Sequence, residues 1–250
     1  MTNSTPSTVP VPLPTPGLAV VIGAGGGIGA AMVAQLEREQ LQGAWAKVVG
    51  LGRHTEIGID YLQEASIAAA AQSVAAICSA SQLDLLLLVV ATGFLHGEQG
   101  QPERSFSHLD ADYLSHVFAI NTLGPALVIK HFFPLLPKRG RCVAGFLSAR
   151  VGSIGDNALG GWYGYRASKA ALNQLVKTAS IELSRWNSSS VCVALHPGTV
   201  ASNLSLPFAK VGLKVRPPEE AAGDLLAVLK GLAPADTGAL VDYQGQKLPF

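Results

Sequence analysis

A short aliphatic run, Leu18–Gly23, passes directly into Gly23-Ala24-Gly25-Gly26-Gly27-Ile28-Gly29, and then into a segment with apolar residues at the helical positions Ile28, Met32, Val33 and Leu36. Five glycines in seven residues constrain the fold more than any other stretch of the chain. Glycine enters the left-handed backbone region without steric cost and lets a ligand or a second backbone approach closely. Between a strand and a helix, such a loop also brings the free N–H groups of the helix start to a point, a site suited to the pyrophosphate of a dinucleotide. A loop that needed positive φ for structural reasons alone would look similar. The strand before it and the helix after it favour the binding role.

The rest of the chain repeats the alternation. Strands are expected at Lys47–Gly52, Ile57–Asp60, Leu85–Val90, Arg141–Leu147, Val191–Leu195 and Gly238–Tyr243, and helices at Ile28–Leu41, Glu64–Ser79, most of Leu109–Leu136, Tyr163–Trp186 and Pro218–Gly231. Strands alternating with longer helical stretches predict an α/β fold with a doubly wound parallel sheet. At 250 residues, with no internal repeat and no second composition block, residues 17–250 read as a single domain. Residues 1–16 lack Lys and Arg and carry Pro6, Pro10, Pro12, Pro14 and Pro16, which predicts a flexible tail rather than a secretory leader. A formal net charge of +1 provides no field to gather polyanions, so no nucleic-acid partner is expected. The strongest apolar run, Leu85–Ala91, is too short for a bilayer, so no membrane is expected either. Cys78, Cys142 and Cys192 are odd in number and without metal spacing, which fits reduced thiols and a cytoplasmic location.

Tyr165 and Lys169, in Tyr165-Arg166-Ala167-Ser168-Lys169, stand one helical turn apart on one face. A free phenol titrates near pH 10, and a neighbouring ammonium stabilises the phenolate and brings the proton within reach at neutral pH. A tyrosine so placed can donate to a carbonyl oxygen or accept from a hydroxyl. By itself the spacing also suits an ordinary amphipathic helix pair.

Two motifs together carry a resemblance. The glycines of Gly23-x-x-x-Gly27-x-Gly29 and the run Tyr165-x-Ala167-Ser168-Lys169-Ala170-Ala171-Leu172-Asn173 resemble the short-chain dehydrogenase/reductase family over nearly all of 17–250. Ile22 stands where that family often has Thr. The approach to the second motif, Gly152-Ser153-Ile154 and then Gly160-Gly161-Trp162-Tyr163, resembles the branch holding small carbonyl reductases and the bacterial C-factor signalling protein. The resemblance implies a Rossmann fold, a nicotinamide coenzyme, a small carbonyl or alcohol substrate and assembly into a homodimer or homotetramer through the long helices.

For the coenzyme, an acidic residue ending the second strand favours NAD, and an arginine there favours the 2′-phosphate of NADP. The strand ends in Gly52-Arg53, so NADP(H) is expected ahead of NAD(H), although Arg53 could equally be a solvated surface cation. The resemblance adds further assignments. Asp60 would accept from the adenine amino group, unless it serves as a helix cap. Gly23, Gly25, Gly27, Ile28 and Gly29 would cradle the pyrophosphate, and Ala91 and Gly93 would approach the coenzyme by their backbone. Pro197, Val200 and Ser202 would clamp the carboxamide, with Tyr165 and Lys169 on the nicotinamide ribose. Asn121 would kink its helix and anchor a water linked to Lys169, or else be satisfied within the helix. His196 is expected to pack at a strand end.

One departure concerns the serine that the family uses to hold the substrate oxygen. Here the frame reads Ser148-Ala149-Arg150-Val151-Gly152, which puts Ala149 in that slot. Ser148 points to the opposite face of an extended strand unless a bulge intervenes. Ser148 is the first candidate for the role, Ser153 the second, and no serine the third. Phe94, Leu95, Ile154, Leu159 and Trp162 would form an apolar substrate wall, with Leu204–Lys214 as a lid. Two function classes follow: a carbonyl reductase using Tyr165, Lys169, Ser148 and Asn121, or a coenzyme-binding regulatory protein with weak or no catalysis.

Overall fold

The computed structural model describes residues 17–208 and 215–250; the expected tail lies outside them, as do residues 209–214 of the expected lid. The strands are β1 (Leu18–Ile22), β2 (Lys47–Gly52), β3 (Ile57–Gly58), β4 (Leu85–Val90), β5 (Val143–Leu147), β6 (Val191–His196), β7 (Leu240–Asp242) and β8 (Lys247–Leu248). They form one eight-stranded sheet in the order β3-β2-β1-β4-β5-β6-β7-β8. Every pairing is parallel except β7 with β8. This is a doubly wound Rossmann-type sheet in a single domain, with an antiparallel edge strand.

The side chains of β1 show how the sheet is covered. Leu18, Val20 and Ile22 face one helical layer, and Ala19 and Val21 face the other, all at 0% exposure. A parallel sheet buried on both faces calls for runs apolar at every position, which β1 (LAVVI) and β4 (LLLLVV) supply. On one face lie α1 (Gly27–Leu41) and α6 (Pro218–Gly231), packing Met32, Leu36, Leu225 and Leu229. On the other lie α2 (Glu64–Ser81), α4 (Gly124–Phe132) and α5 (Tyr163–Trp186), with Ile67, Val128, Leu172 and Val176. The chain order reverses direction between β1 and β4, and in open α/β sheets ligands bind at this switch, beyond the carboxyl ends of the strands.

Two expectations are corrected. The helix expected over most of Leu109–Leu136 is interrupted: α3 (Ala111–Phe118) widens into a π turn at Ala119–Leu123 before α4 begins. The third strand stops at Gly58, because Asp60 already turns the chain, its carboxylate accepting from Leu62 N at 2.9 Å. Strand β8 is too short to show a periodicity of its own. The continuous stretch Ala111–Leu135 is long and apolar enough to cross a bilayer; here Val117, Val128 and Phe132 spend that apolar face on the sheet.

Candidate active site

The glycine loop is built by mutual close approach at the end of β1. Gly23 has φ +95°, and a Cβ on it would press within 2.7 Å of the Ala91 carbonyl oxygen beyond β4. A Cβ on Gly29 would overlap the Gly23 carbonyl, so both positions must be glycine for the loop to close. Gly25 differs, since a Cβ there would meet nothing within 4 Å and would enter the open crevice. Gly27 faces Pro218 and Ser202, whose atoms lie 3.5 and 3.7 Å from its Cβ position, so the start of α6 and the loop after β6 form the opposite wall. Ile28 turns its side chain into the core, leaving only its backbone toward the loop. Helix α1 starts with no side-chain cap and no acidic residue in its first turn, so its N–H groups remain free for an anion. These features fit a pyrophosphate.

The other residues expected to meet the coenzyme have protein partners of their own or stand exposed. A Cβ on Gly52 would lie 3.4 Å from Gly25 N, so β2 ends against the loop and Arg53 follows, exposed. Asp60 accepts from Leu62 N and, at 3.2 Å, from Gln63 Nε2, which makes it a turn cap ahead of α2. Ala91 donates its N–H to Ile22 O at 2.7 Å, leaving its carbonyl at Gly23. Beyond β6, Val200 bridges to Arg216, whose buried guanidinium donates to the Pro197 carbonyl at 3.3 Å and pairs with Glu220 and Asp224. Ser202 Oγ lies 3.1 Å from Ser205 Oγ. His196 packs at the end of β6, with its Nδ1 buried and unpartnered, and burial pushes its titration down to about 4.

Tyr165 and Lys169 are both buried, at 7% and 2% exposure. Lys169 Nζ donates to Leu147 O at 2.9 Å and lies 5.8 Å from the centre of the Tyr165 ring. A Cβ on Gly93 would be 3.5 Å from Lys169 Nζ and 3.8 Å from Asn121 Oδ1, so three of the expected site residues converge on one spot. Asn121, in the π turn, accepts from Phe94 N at 2.7 Å and donates to Phe94 O at 2.8 Å and to Ser168 Oγ at 3.1 Å. It therefore ties the loop after β4 to α5, and its side-chain groups serve protein partners. The electrostatics correct one expectation: burial pushes the Tyr165 phenol above its ordinary value and lowers Lys169 to about 7. Without a bound coenzyme, desolvation outweighs the attraction of the pair.

The serines do not supply the missing hydroxyl. Ser148 donates to Asn173 Oδ1 at 2.6 Å, and Asn173 stands eight residues along α5 from Tyr165, about 12 Å by helical rise. Alternation along the strand end has turned Ser148 away, and its expected catalytic role is withdrawn. Ser153 is 2% exposed and accepts from Asp156 N at 3.1 Å, which closes a local turn. It is Ala149 that packs with Tyr165 and Leu95, joined by Val151, Trp162, Leu204 and Phe208. Ile154 and Leu159, expected in this wall, are 78% and 89% exposed.

Sequence reasoning missed Glu103, and it included Phe208 only as part of the expected lid, without singling it out. The buried Glu103 carboxylate accepts Gly164 N–H at 3.1 Å on each oxygen, capping α5 from 61 residues away. Phe208 stacks edge-on with Trp162 and His96, at 5.3 and 5.2 Å between ring centres. Neither leaves a local signal in the sequence, because both partners meet only in the fold.

An open parallel sheet with a glycine cradle at its switch point and a buried tyrosine–lysine pair beside it defines a nucleotide-binding α/β protein. The comparisons make the class narrower: the family model for short chain dehydrogenase matches residues 17–210, and this chain belongs to that family. C-signal of Myxococcus xanthus is 36% identical over 143 residues, 56% of this chain and 82% of that protein. The 1-hydroxy-2-glutathionyl-2-methyl-3-butene dehydrogenase of Rhodococcus sp. (strain AD45) is 37% identical over 142 residues, 57% of this chain and 61% of that one. Among solved structures, the NADPH-bound carbonyl reductase from chicken fatty liver superposes with a TM-score of 0.79 at 24% identity, covering 97% of this chain and 96% of its own. At that identity the likeness is one of fold.

Proposed function

We propose that this chain is an NADP(H)-dependent reductase of small aldehydes or ketones, with Tyr165 as the proton donor and Lys169 and Asn121 holding the site around it. The observation that carries the reading is the convergence of Tyr165, Lys169, Asn121 and Gly93 beside a glycine cradle whose Gly25 position opens into the crevice. The coenzyme, when bound, supplies hydride to the carbonyl carbon. Tyr165 gives its proton to the carbonyl oxygen, so that C=O becomes an alcohol. Burial alone raises the phenol and makes it a weaker acid, so proton transfer at neutral pH would require Lys169 and the bound coenzyme to bring it back down. Lys169, anchored on Leu147 O, binds the ribose hydroxyls and recharges the phenol. Arg53, exposed beside the cradle, takes the 2′-phosphate; NAD(H) would bind without that contact. We place the protein in the cytoplasm, as a homodimer or homotetramer with a small-molecule substrate; the names of its relatives as dehydrogenase and carbonyl reductase support the reaction type.

A second reading rests on Ala149 and on the similarity to C-signal: a coenzyme-binding regulatory protein with little chemistry. Steady-state oxidation of NADPH with a panel of aldehydes and ketones separates the two. Turnover on any of them supports the reductase, whereas tight NADPH binding with none supports the second reading and overturns the first.

A further inference from the structure

Two non-glycine residues in the described structure have positive φ. Gln82 is the ordinary left-handed end of α2. Trp162 is the anomaly, with φ 51° and ψ 45° at the start of α5, following Gly160 and Gly161 at φ 64° and 65°. A bulky side chain in this region is strained, and such strain persists only where surrounding structure enforces it, characteristically at functional sites. Here the enforcement is visible: Trp162 N donates to Glu103 O at 2.6 Å, and Arg166 Nε donates to Gly161 O at 2.9 Å. The effect is to fold the indole back onto Tyr165, edge to face, with 6.2 Å between ring centres.

Thr92 Oγ1, in the loop after β4, is buried without a partner among the described residues, whereas four other polar side chains on the surrounding elements are engaged. Tyr113 donates its hydroxyl to Leu95 O at 2.8 Å, His96 Nε2 lies 2.8 Å from Asn203 O, Ser148 is on Asn173, and Ser153 is buried in its own turn. Ala149 has no donor. The indole N–H of Trp162, on a half-buried side chain, pairs with no group among the described residues and is not sealed from solvent.

We infer that Trp162 is a second catalytic residue, whose indole N–H donates to the substrate carbonyl oxygen and takes the place of the hydroxyl that Ala149 lacks. This rests on the reductase reading. Preorganised donors of this kind, aimed at an oxygen that gains charge, are worth about 100-fold each in rate. The strained backbone is retained because it aims that donor.

The test uses the full chain with NADPH and 4-nitrobenzaldehyde as probe, and compares the parent with Trp162→Phe, Trp162→Gly and the double variant Trp162→Phe/Ala149→Ser. Trp162→Phe keeps the ring and removes the N–H; kcat should fall about 100-fold with NADPH affinity unchanged. Adding Ala149→Ser should restore at least 10-fold, because it returns a donor to the same oxygen. Trp162→Gly removes the ring together with the N–H, so kcat should fall at least as far as in Trp162→Phe, with Tm lowered by the lost packing. Parent-like activity in Trp162→Phe or Trp162→Gly, or a loss in Trp162→Phe that Ala149→Ser does not repair, would overturn the inference and leave the reductase reading standing. A parent that binds NADPH but reduces no carbonyl overturns both.

Discussion

Two glycines of the same loop have opposite surroundings, and that difference separates architecture from binding. At Gly29 a Cβ would overlap the Gly23 carbonyl, so Gly29→Ala should lower Tm measurably, along with coenzyme affinity. At Gly25 there is open space and no positive φ, so Gly25→Val should fold with an unchanged Tm yet weaken NADPH binding at least 10-fold. Thermal melts and fluorescence titration of the two variants check this; an unaltered affinity in Gly25→Val would mean that the crevice is not where the coenzyme lies. Lys169 offers a second handle at this scale. Its folded-state value of about 7 is below its ordinary 10.5, so between those values the unfolded chain holds a proton that the folded chain has shed. Stability of the coenzyme-free protein should therefore rise with pH from about 7 toward 10, and Lys169→Met should flatten that slope in urea midpoints. Tyr165, shifted upward, works in the opposite sense only above pH 10.

At the scale of elements, the site depends on how α5 begins. The first turn of a helix leaves N–H groups unpaired, and here the buried Glu103 carboxylate takes Gly164 N–H immediately before Tyr165. Glu103→Ala would leave that donor unsatisfied at a buried position, a cost of about 1–3 kcal/mol. In a domain of this size each kcal/mol is about 2–4 °C, so Tm should fall by roughly 2–12 °C, checked by calorimetry. Much of the element structure was legible beforehand. The bounds of β2, β4, α5 and α6 follow from uninterrupted apolar runs, helical spacing and the Pro218 and Gly231 punctuation. The π turn at Ala119–Leu123 was legible only as the kink that the resemblance put at Asn121, because a single inserted residue leaves the helical pattern on both sides intact. Long-range contacts such as Glu103 with Gly164 have no local trace at all. Strand alternation spoke against Ser148 as the substrate-binding serine, yet Ser148 stood as the first candidate; its hydroxyl is found on Asn173 instead.

At the scale of the whole molecule, two helical layers and a fully buried sheet bring the chain's segments to one edge, where β1, β4, β5 and β6 end. In the proposed function, binding and chemistry use different residues along that edge, so coenzyme choice should be separable from catalysis. Arg53→Ala should weaken NADPH about 10-fold or more, leave NADH affinity within about 2-fold, and leave kcat with saturating coenzyme unchanged, as measured by paired titrations; arginine contacts to phosphate are charge-assisted and strong. Equal losses for both coenzymes would remove Arg53 from the 2′-phosphate. In the proposed function, the buried Tyr165 phenol delivers the proton to a carbonyl oxygen beside a coenzyme held in the glycine cradle. The most direct measurement is the single-turnover rate of NADPH oxidation, at saturating coenzyme and carbonyl, in the parent and in Tyr165→Phe. The account predicts a fall of about 10²- to 10⁴-fold with NADPH affinity retained; equal rates in the two proteins would contradict it.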